Sequence, residues 1–263
     1  MKKIIAVLLV LCVFVAAFAG CGAKQEVIVA EKGSAGEEVA TKDESLKDYT
    51  YTAVDTQAKA LMEVSAGTAD AAIVDYVMSI GSIGEGTDYE NLVVEGDGYS
   101  PENYGIAFRK GSDFTAKVNE AIKALKDEGK LADIGKKYKL DALVTGTDSF
   151  DAFKKAETDS DYDYIMGKGE LVIGITYFAP MNYLDDNNEL VGFETEFAKA
   201  VCEKIGVTAK FVEINWNAKE TELAAKNIDC IWNGMTINDE RKANMSITIP
   251  YMQNKQVKVV KAK

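Results

Sequence analysis

Hydrophobic and polar positions along the chain follow two alternating periods. Short β-branched runs such as Glu26 to Glu31 predict strands, and apolar residues at helical spacing, as in Asp113 to Lys126, predict helices. Predicted strands alternate with predicted helices on both sides of residues 141–164, a stretch of Gly, Ser, Thr and Asp that we interpret as a linker. Such alternation indicates α/β sheets.

The stretch from Asp229 to Arg241 combines a short buried strand, a turn and a helix start. The turn leaves backbone N–H groups free, and Thr236 adds a hydroxyl that donates and accepts. Arg241 offers a planar fork suited to a carboxylate. The stretch therefore predicts a seat for a small carboxylic acid, and a plain corner with a solvated arginine is the alternative.

Two stretches earlier in the chain suggest partners for this seat. Residues 33–36 (GSAG) follow a predicted strand and precede a helix, which predicts a second anion-binding turn, although a plain β-α loop has the same pattern. Asp70 to Asp75 repeats the order of Asp229 to Gly234: an Asp, a buried strand and a polar corner. We expect two lobes of similar build, with Asp75 placed to hold an ammonium unless it is simply a cap.

The first 20 residues predict an export signal. Lys2 and Lys3 precede an apolar run that is too short for a comfortable membrane span. Phe18 to Cys21 resembles a bacterial lipoprotein box, which predicts lipidation of Cys21 and a short tether over residues 21–25. Ordinary signal cleavage and secretion is the alternative.

Composition excludes several classes of function. Without the two signal lysines the chain has 28 basic and 42 acidic residues, and this charge of −14 opposes nucleic acid as a partner. There is no histidine, which removes Ser-His-Asp and Cys-His catalysis and histidine metal sites. We expect Cys202 and Cys230 to be buried thiols rather than a disulfide.

Four segments together resemble a known family. Residues 192–205 (GFETEFAKAVCEKI), 234–241 (GMTINDER), 70–75 (DAAIVD) and 104–113 (YGIAFRKGSD) are similar to the bacterial extracellular solute-binding proteins of polar amino acid ABC transporters. The resemblance implies an α/β, two-lobed, periplasmic-binding-protein-like type II fold.

The order of the segments departs from the family's order. Members begin with a segment like Leu171 to Ile175 and end with one like Lys137 to Leu140, whereas here the end-like segment comes first. We therefore predict a circularly permuted chain, with lobe 2 at residues 26–103 and lobe 1 at residues 104–263. The linker at 141–164 joins the family's usual termini, and we expect permutation to cut one of two hinge crossings.

The resemblance also implies a role for each matching position. Arg241 resembles the arginine that grips the ligand α-carboxylate, and Asp75 resembles the acid that receives the α-ammonium. Phe178 and Trp216 resemble the aromatic residues that enclose the ligand side chain, although both could belong to the core. The complete predicted set is Arg241, Thr236, Gly234, Asp75, Ser34, Phe178, Trp216, Ala35 and Glu31.

These roles predict an extracytoplasmic, lipid-anchored, monomeric receptor that closes around a free amino acid and delivers it to an ABC permease without a cofactor. Ile175 stands where members that bind cationic side chains tend to have an acid, so a polar neutral ligand is favoured. A ligand-sensing lipoprotein is one alternative. A dehydratase-like enzyme is another, with Glu31 or Glu102 as its acid.

Overall fold

The computed structural model describes residues 25–99, 101–146 and 148–263, so the predicted signal and Cys21 lie outside the described residues. The strands and helices in chain order are β1 (Val27–Glu31), α1 (Ala35–Lys42), β2 (Thr50–Val54), α2 (Gln57–Ala66), β3 (Ala71–Asp75), α3 (Tyr76–Ser82), β4 (Leu92–Glu95), β5 (Pro101–Tyr104), β6 (Ala107–Arg109), α4 (Phe114–Asp127), α5 (Lys130–Lys137), α6 (Asp161–Lys168), β7 (Glu170–Ile175), β8 (Tyr183–Leu184), β9 (Leu190–Val191), α7 (Phe193–Ile205), β10 (Thr208–Glu213), α8 (Lys219–Ala224), β11 (Cys230–Ile231), α9 (Asp239–Asn244), β12 (Met245–Ile247) and β13 (Met252–Lys261).

The strands form two large sheets and one small hairpin. The first sheet has the order β2-β1-β3-β13-β4, with β5 also paired to β13, and the second has the order β10-β7-β11-β6-β12. In each sheet, parallel strands carry near-continuous apolar runs, as in β3 and β7, where burial on both faces requires such residues. The α/β, type II two-lobed fold predicted from the sequence is confirmed.

Two expected boundaries differ from the structure. The run Tyr104 to Phe108 has the pattern of one strand, but it is divided between β5 of the first sheet and β6 of the second. Strand β13 lies in the range predicted as lobe 1 (residues 104–263). It nevertheless pairs with β3 and β4 in the first sheet. Hydrophobic periodicity identifies a strand, but it does not state which strands are its neighbours.

The chain crosses between the sheets twice, at residues 104–107 and 247–252. The two crossings run antiparallel and are hydrogen-bonded to each other: Thr248 N–H donates to the Ile106 carbonyl (2.9 Å) and Tyr251 N–H donates to the Tyr104 carbonyl (3.1 Å). Both crossings are continuous, so the expectation that permutation cuts one of them is wrong.

The predicted linker is held against the second sheet at both of its ends. Thr145 N–H donates to the Tyr251 carbonyl (3.1 Å) beside a crossing. Asp113 accepts hydrogen bonds from the backbone N–H groups of Ala156 and Tyr162, both at 2.9 Å. Residues 148–160 form no helix, and α6 begins only at Asp161.

The two remaining cysteines are buried and free, as predicted. Burial raises the pKa of the Cys202 thiol to about 12, so it packs as a small apolar group. Across the ranges that the structure describes, no helix has the length and apolar character needed to cross a membrane.

Candidate ligand-binding site

A narrow polar cavity lies where the ends of β1 and β3 in the first sheet meet residues 233–241 of the second lobe. Its volume is about 10 Å³, close to the space that one water molecule needs. The lining residues are Glu31, Ser34, Ala35, Gln57, Asp75, Trp216, Asn233, Gly234, Thr236 and Arg241. The structure thus brings together every site residue predicted from the sequence except Phe178, and it adds Gln57 and Asn233.

Arg241 is a buried cation in the first turn of α9, where Asn238 caps the helix by accepting the Arg241 N–H (2.8 Å). Its side chain is only 7% exposed. Nη1 donates to the Thr236 carbonyl (2.8 Å), and Nη2 reaches the Gly33 carbonyl of the other lobe at 3.4 Å. Burial lowers the pKa of Arg241, and none of the described carboxylates is ion-paired with it.

Asp75 is a buried acid at the end of β3, with 5% exposure. Asn254 Nδ2 and Gln256 Nε2 each donate to Oδ1 at 2.6 Å, and Gln57 Nε2 donates to Oδ2. Burial raises the pKa of Asp75, and the amide donors oppose that rise. Over the described ranges it has neutral hydrogen-bond donors but no cationic partner within ion-pair distance.

Ser34 caps helix α1 at the rim of the cavity, which matches the turn predicted from residues 33–36. Its Oγ accepts a hydrogen bond from Glu37 N–H (3.1 Å). A hydroxyl that accepts through oxygen can still donate its own proton. Ser34 can therefore donate to an anion in the cavity while it stabilises the helix end.

Gly234 has a backbone φ of +56°, and an added Cβ would lie 2.8 Å from Phe178 Cζ. The ring of Phe178 therefore packs directly against Gly234 and stands behind the cavity wall. Trp216 lines the cavity itself, and Lys219 Nζ lies 4.7 Å from the centre of its ring. Trp216 therefore lines the cavity, whereas Gly234 separates Phe178 from it.

A buried polar network supports the Gly234 turn from beneath. Glu194 Oε1 accepts the Gly234 N–H (2.7 Å) and the Tyr251 hydroxyl, and Asn182 Nδ2 donates to Oε2 at 2.7 Å. Burial raises the pKa of Glu194 to about 7. Sequence reasoning did not assign Glu194 to the site, although it lies in the family-like segment 192–205.

Asn233 and Gln57 were also missed. Asn233 Oδ1 accepts the Thr176 N–H (2.9 Å), and its Nδ2 donates to the Thr176 hydroxyl (2.6 Å), so it joins β7 to the cavity wall. Gln57 is the first residue of α2, and its Oε1 accepts the Asp75 N–H (2.8 Å). A polar residue at the first turn of a helix carries no local signal for such a contact.

Two further acids lie beside Asp75. Glu31 ends β1, is 4% exposed and has no hydrogen-bond partner for Oε1 among the described residues. Burial raises the pKa of Glu31 to about 8, Asp75 adds to the rise, and Lys219 opposes it. Glu102 accepts hydrogen bonds from Asn254 and Gln256, and burial together with Asp75 raises its pKa to about 7.

The cavity brings opposite charges close together. Within residues 25–99, 101–146 and 148–263, no group of three or more His, Cys, Asp or Glu side chains is arranged to hold a metal ion. The cavity instead places a buried cation and a buried acid in one small space between two lobes. Such a cavity can meet both charges of a small zwitterion.

Known proteins are similar to this chain over part of its length. Residues 171–263 match the family of bacterial extracellular solute-binding proteins, family 3, which confirms the resemblance over these residues. The L-cystine-binding protein TcyJ of Escherichia coli (strain K12) is 28% identical over 123 residues, which cover 46% of this chain and 46% of that protein.

A probable amino-acid ABC transporter-binding protein of Haemophilus influenzae is 33% identical over 122 residues, or 46% of this chain and 47% of that protein. The chain thus spans about half the length of the curated relatives it matches. Among solved structures, the arginine-bound form of domain 1 from TmArgBP is 31% identical with a TM-score of 0.34, over 38% of this chain and 85% of that chain.

Proposed function

We propose that this protein is an extracytoplasmic amino acid-binding protein that delivers a polar amino acid to an ABC importer. The observation that carries the proposal is the pairing of Arg241 and Asp75 across one cavity, each buried and neither ion-paired with a described residue. A buried charge is costly unless it is met by an opposite charge and hydrogen bonds. An α-carboxylate for Arg241 and an α-ammonium for Asp75 would supply both.

The remaining site residues take supporting roles in this proposal. Ser34, Thr236 and the backbone N–H of Ala35 donate to the carboxylate, and the Gly234 carbonyl accepts from the ammonium. Trp216 encloses the ligand side chain, Phe178 supports Gly234 from behind, and Glu31 lies beside the side chain. The names of the matched relatives, which bind cystine and serve amino acid transporters, support a ligand of this class.

The proposed binding cycle requires the lobes to separate. The cavity of about 10 Å³ is far too small for an amino acid, so the ligand would enter an opened form and favour closure through contacts to both lobes. The two crossing segments at residues 104–107 and 247–252 are the proposed hinge. We also propose that the chain is circularly permuted relative to its family. In this proposal, β13 belongs to the same lobe as residues 26–103.

Membrane attachment through lipid on Cys21 is part of the proposal, because the signal and lipoprotein box in the sequence favour it. Fatty-acid labelling of the expressed protein should depend on Cys21, and Cys21→Ser should release the protein from the membrane fraction. Label retained by Cys21→Ser would contradict this attachment.

The main test is calorimetry against the twenty amino acids and cystine. At least one should bind, and Arg241→Ala combined with Asp75→Ala should abolish that binding. Asp239→Ala, on the same helix as Arg241 but fully exposed, serves as the matched control and should bind normally. Unchanged binding in the double variant, or no binding of any amino acid to the unmodified protein, would overturn the proposal.

A second candidate is an enzyme acting on an amino-acid-like acid. Glu31 supports it, because a buried carboxyl with a pKa of about 8 has the properties of a general acid. Incubation with amino acids followed by mass spectrometry should reveal a dehydrated or decarboxylated product if this candidate is correct. Recovery of unchanged ligand would leave binding as the function.

A further inference from the structure

Glu31 is the one acid of the cavity whose bonding is incomplete in the described part of the chain. Asp75 and Glu102 share the amide donors of Asn254 and Gln256, whereas Glu31 Oε1 is fully buried and accepts nothing. An unsatisfied buried acceptor is unfavourable, and native proteins leave few of them without a purpose.

Lys219, the cation whose charge acts on Glu31, does not satisfy this oxygen. Lys219 Nζ donates to the carbonyls of Gly33 (3.0 Å) and Trp216 (3.3 Å), and no ion pair joins it to Glu31 in the described residues. Both carbonyl contacts hold the ammonium between the lobes and beside the Trp216 ring. A donor for Glu31 must therefore come from the contents of the cavity.

The position of Glu31 favours the ligand side chain as the source of this donor. Strand β1 pairs in parallel with β3, with Ala30 opposite Ile73, so Glu31 and Asp75 end neighbouring strands at the same edge of the sheet. A ligand with its α-ammonium at Asp75 and its α-carboxylate at Arg241 would pass its side chain between Glu31 and Trp216, which both line the cavity.

We propose that the side chain of the bound amino acid carries a nitrogen donor, either an ammonium-type cation or an amide, that donates to Glu31. This inference rests on the proposed function. Glu31, an acid of the first sheet, would then select among amino acids by their side chains. Ile175, the position used to favour a neutral ligand, is absent from the cavity lining, so its apolar side chain does not prevent this contact.

The two sources of the nitrogen donor differ in their effect on the Glu31 proton. Burial and Asp75 hold the pKa of Glu31 at about 8, against the opposing effect of Lys219, so the acid is mostly protonated at pH 7 in the closed, ligand-free form. Arg241 also lines this cavity. A cationic side chain would favour the carboxylate and release the proton to buffer, whereas an amide would donate to the carboxyl oxygen without releasing it.

The experiment compares ligands that differ only in the donor. Lysine is measured against norleucine, and glutamine against glutamate γ-methyl ester, by calorimetry at pH 7 in two buffers of different ionisation enthalpy. At least one donor ligand should bind tenfold or more tightly than its partner. A buffer dependence of the enthalpy that Glu31→Met removes indicates the cation, whereas no buffer dependence, or one that Glu31→Met leaves unchanged, indicates the amide.

Glu31→Met should reduce the donor preference to about threefold or less, while Glu26→Met, at the exposed start of the same strand region, should leave it intact. The preference is a ratio within one variant, so a partial loss of folding does not imitate the effect. Equal binding of donor and donor-free ligands, or a preference retained by Glu31→Met, would overturn this inference and leave the proposed function standing. Binding of no amino acid at all would overturn both.

Discussion

Asp75 and Arg241 are both buried charges at the same cavity, but the structure satisfies them differently. The side-chain donors to Asp75 are Gln57, Asn254 and Gln256, which all belong to the first sheet or its helix α2. Arg241 instead donates to backbone carbonyls on both sides, Thr236 in its own lobe and Gly33 in the other.

We call the surroundings of Asp75 the fixed subsite, because one lobe forms them alone. We call the surroundings of Arg241 the assembled subsite, because both lobes contribute contacts. The Asp75 acceptor is complete within one lobe, so separating the lobes would leave its hydrogen bonds in place. Arg241 loses a contact whenever the lobes part, as does Lys219, which also donates to the Gly33 carbonyl. The proposed carboxylate subsite is therefore the part of the cavity most closely tied to closure.

The largest expected effect comes from removing the assembled subsite. Arg241→Met should weaken amino acid binding by about 30-fold or more, because losing one partner of a buried charge pair costs about 2–5 kcal/mol. Calorimetry measures the change, with Lys242→Met, the next residue of α9, as an exposed control. Binding within threefold of the unmodified protein would remove Arg241 from the site.

Asp75→Asn tests the fixed subsite and should weaken binding by about tenfold or more, because an amide replaces the charge that would pair with the ligand ammonium. Solution scattering of the ligand-free protein should not change, since the Asp75 contacts lie within one lobe. An expanded ligand-free form of this variant would show that Asp75 contributes to closure and would break the comparison.

Lys219→Met should act mainly on closure. It removes a hydrogen bond of 3.0 Å between the lobes, which we expect to weaken ligand binding by about threefold to tenfold, since such a bond contributes about 0.5–1.5 kcal/mol. The radius of gyration without ligand should rise. Lys199→Met, on the exposed face of α7, is the control, and an equal response from both variants would argue against a closing role.

The smallest expected effect is a shift of stability with pH. Burial raises the pKa of Glu31 to about 8 and of Glu102 to about 7, from an ordinary value of 4.5. The folded form then binds more protons than the unfolded form, so stability present below pH 4.5 is lost as pH rises to about 8. Lys219, whose pKa burial lowers to about 8, acts in the opposite direction above that pH.

The melting temperature of the ligand-free protein should therefore fall by a few degrees between pH 5 and pH 8. Differential scanning fluorimetry measures it, and Glu31→Gln should flatten the profile because the amide does not titrate. A melting temperature that rises over this interval would show that these acids are ionised in the folded form.

Local chemistry predicted a large part of the candidate site. Ser34 is recognisable as a cap, and Asp75 and Arg241 stand at strand and helix ends, because turns and caps are set by residues a few positions apart. The alternation of apolar runs determined the α/β class for the same reason. These features depend on short-range geometry, which the order of residues contains directly.

The partners of those residues were decided only by tertiary structure. Asn254 and Gln256 reach Asp75 from about 180 positions away, on a strand that the sequence division placed in the wrong lobe. Periodicity likewise could not show that Tyr104 to Phe108 splits between two sheets, or that Phe178 packs behind Gly234. Strand pairing and side-chain packing are set by which distant surfaces fit together, and no local pattern carries that information.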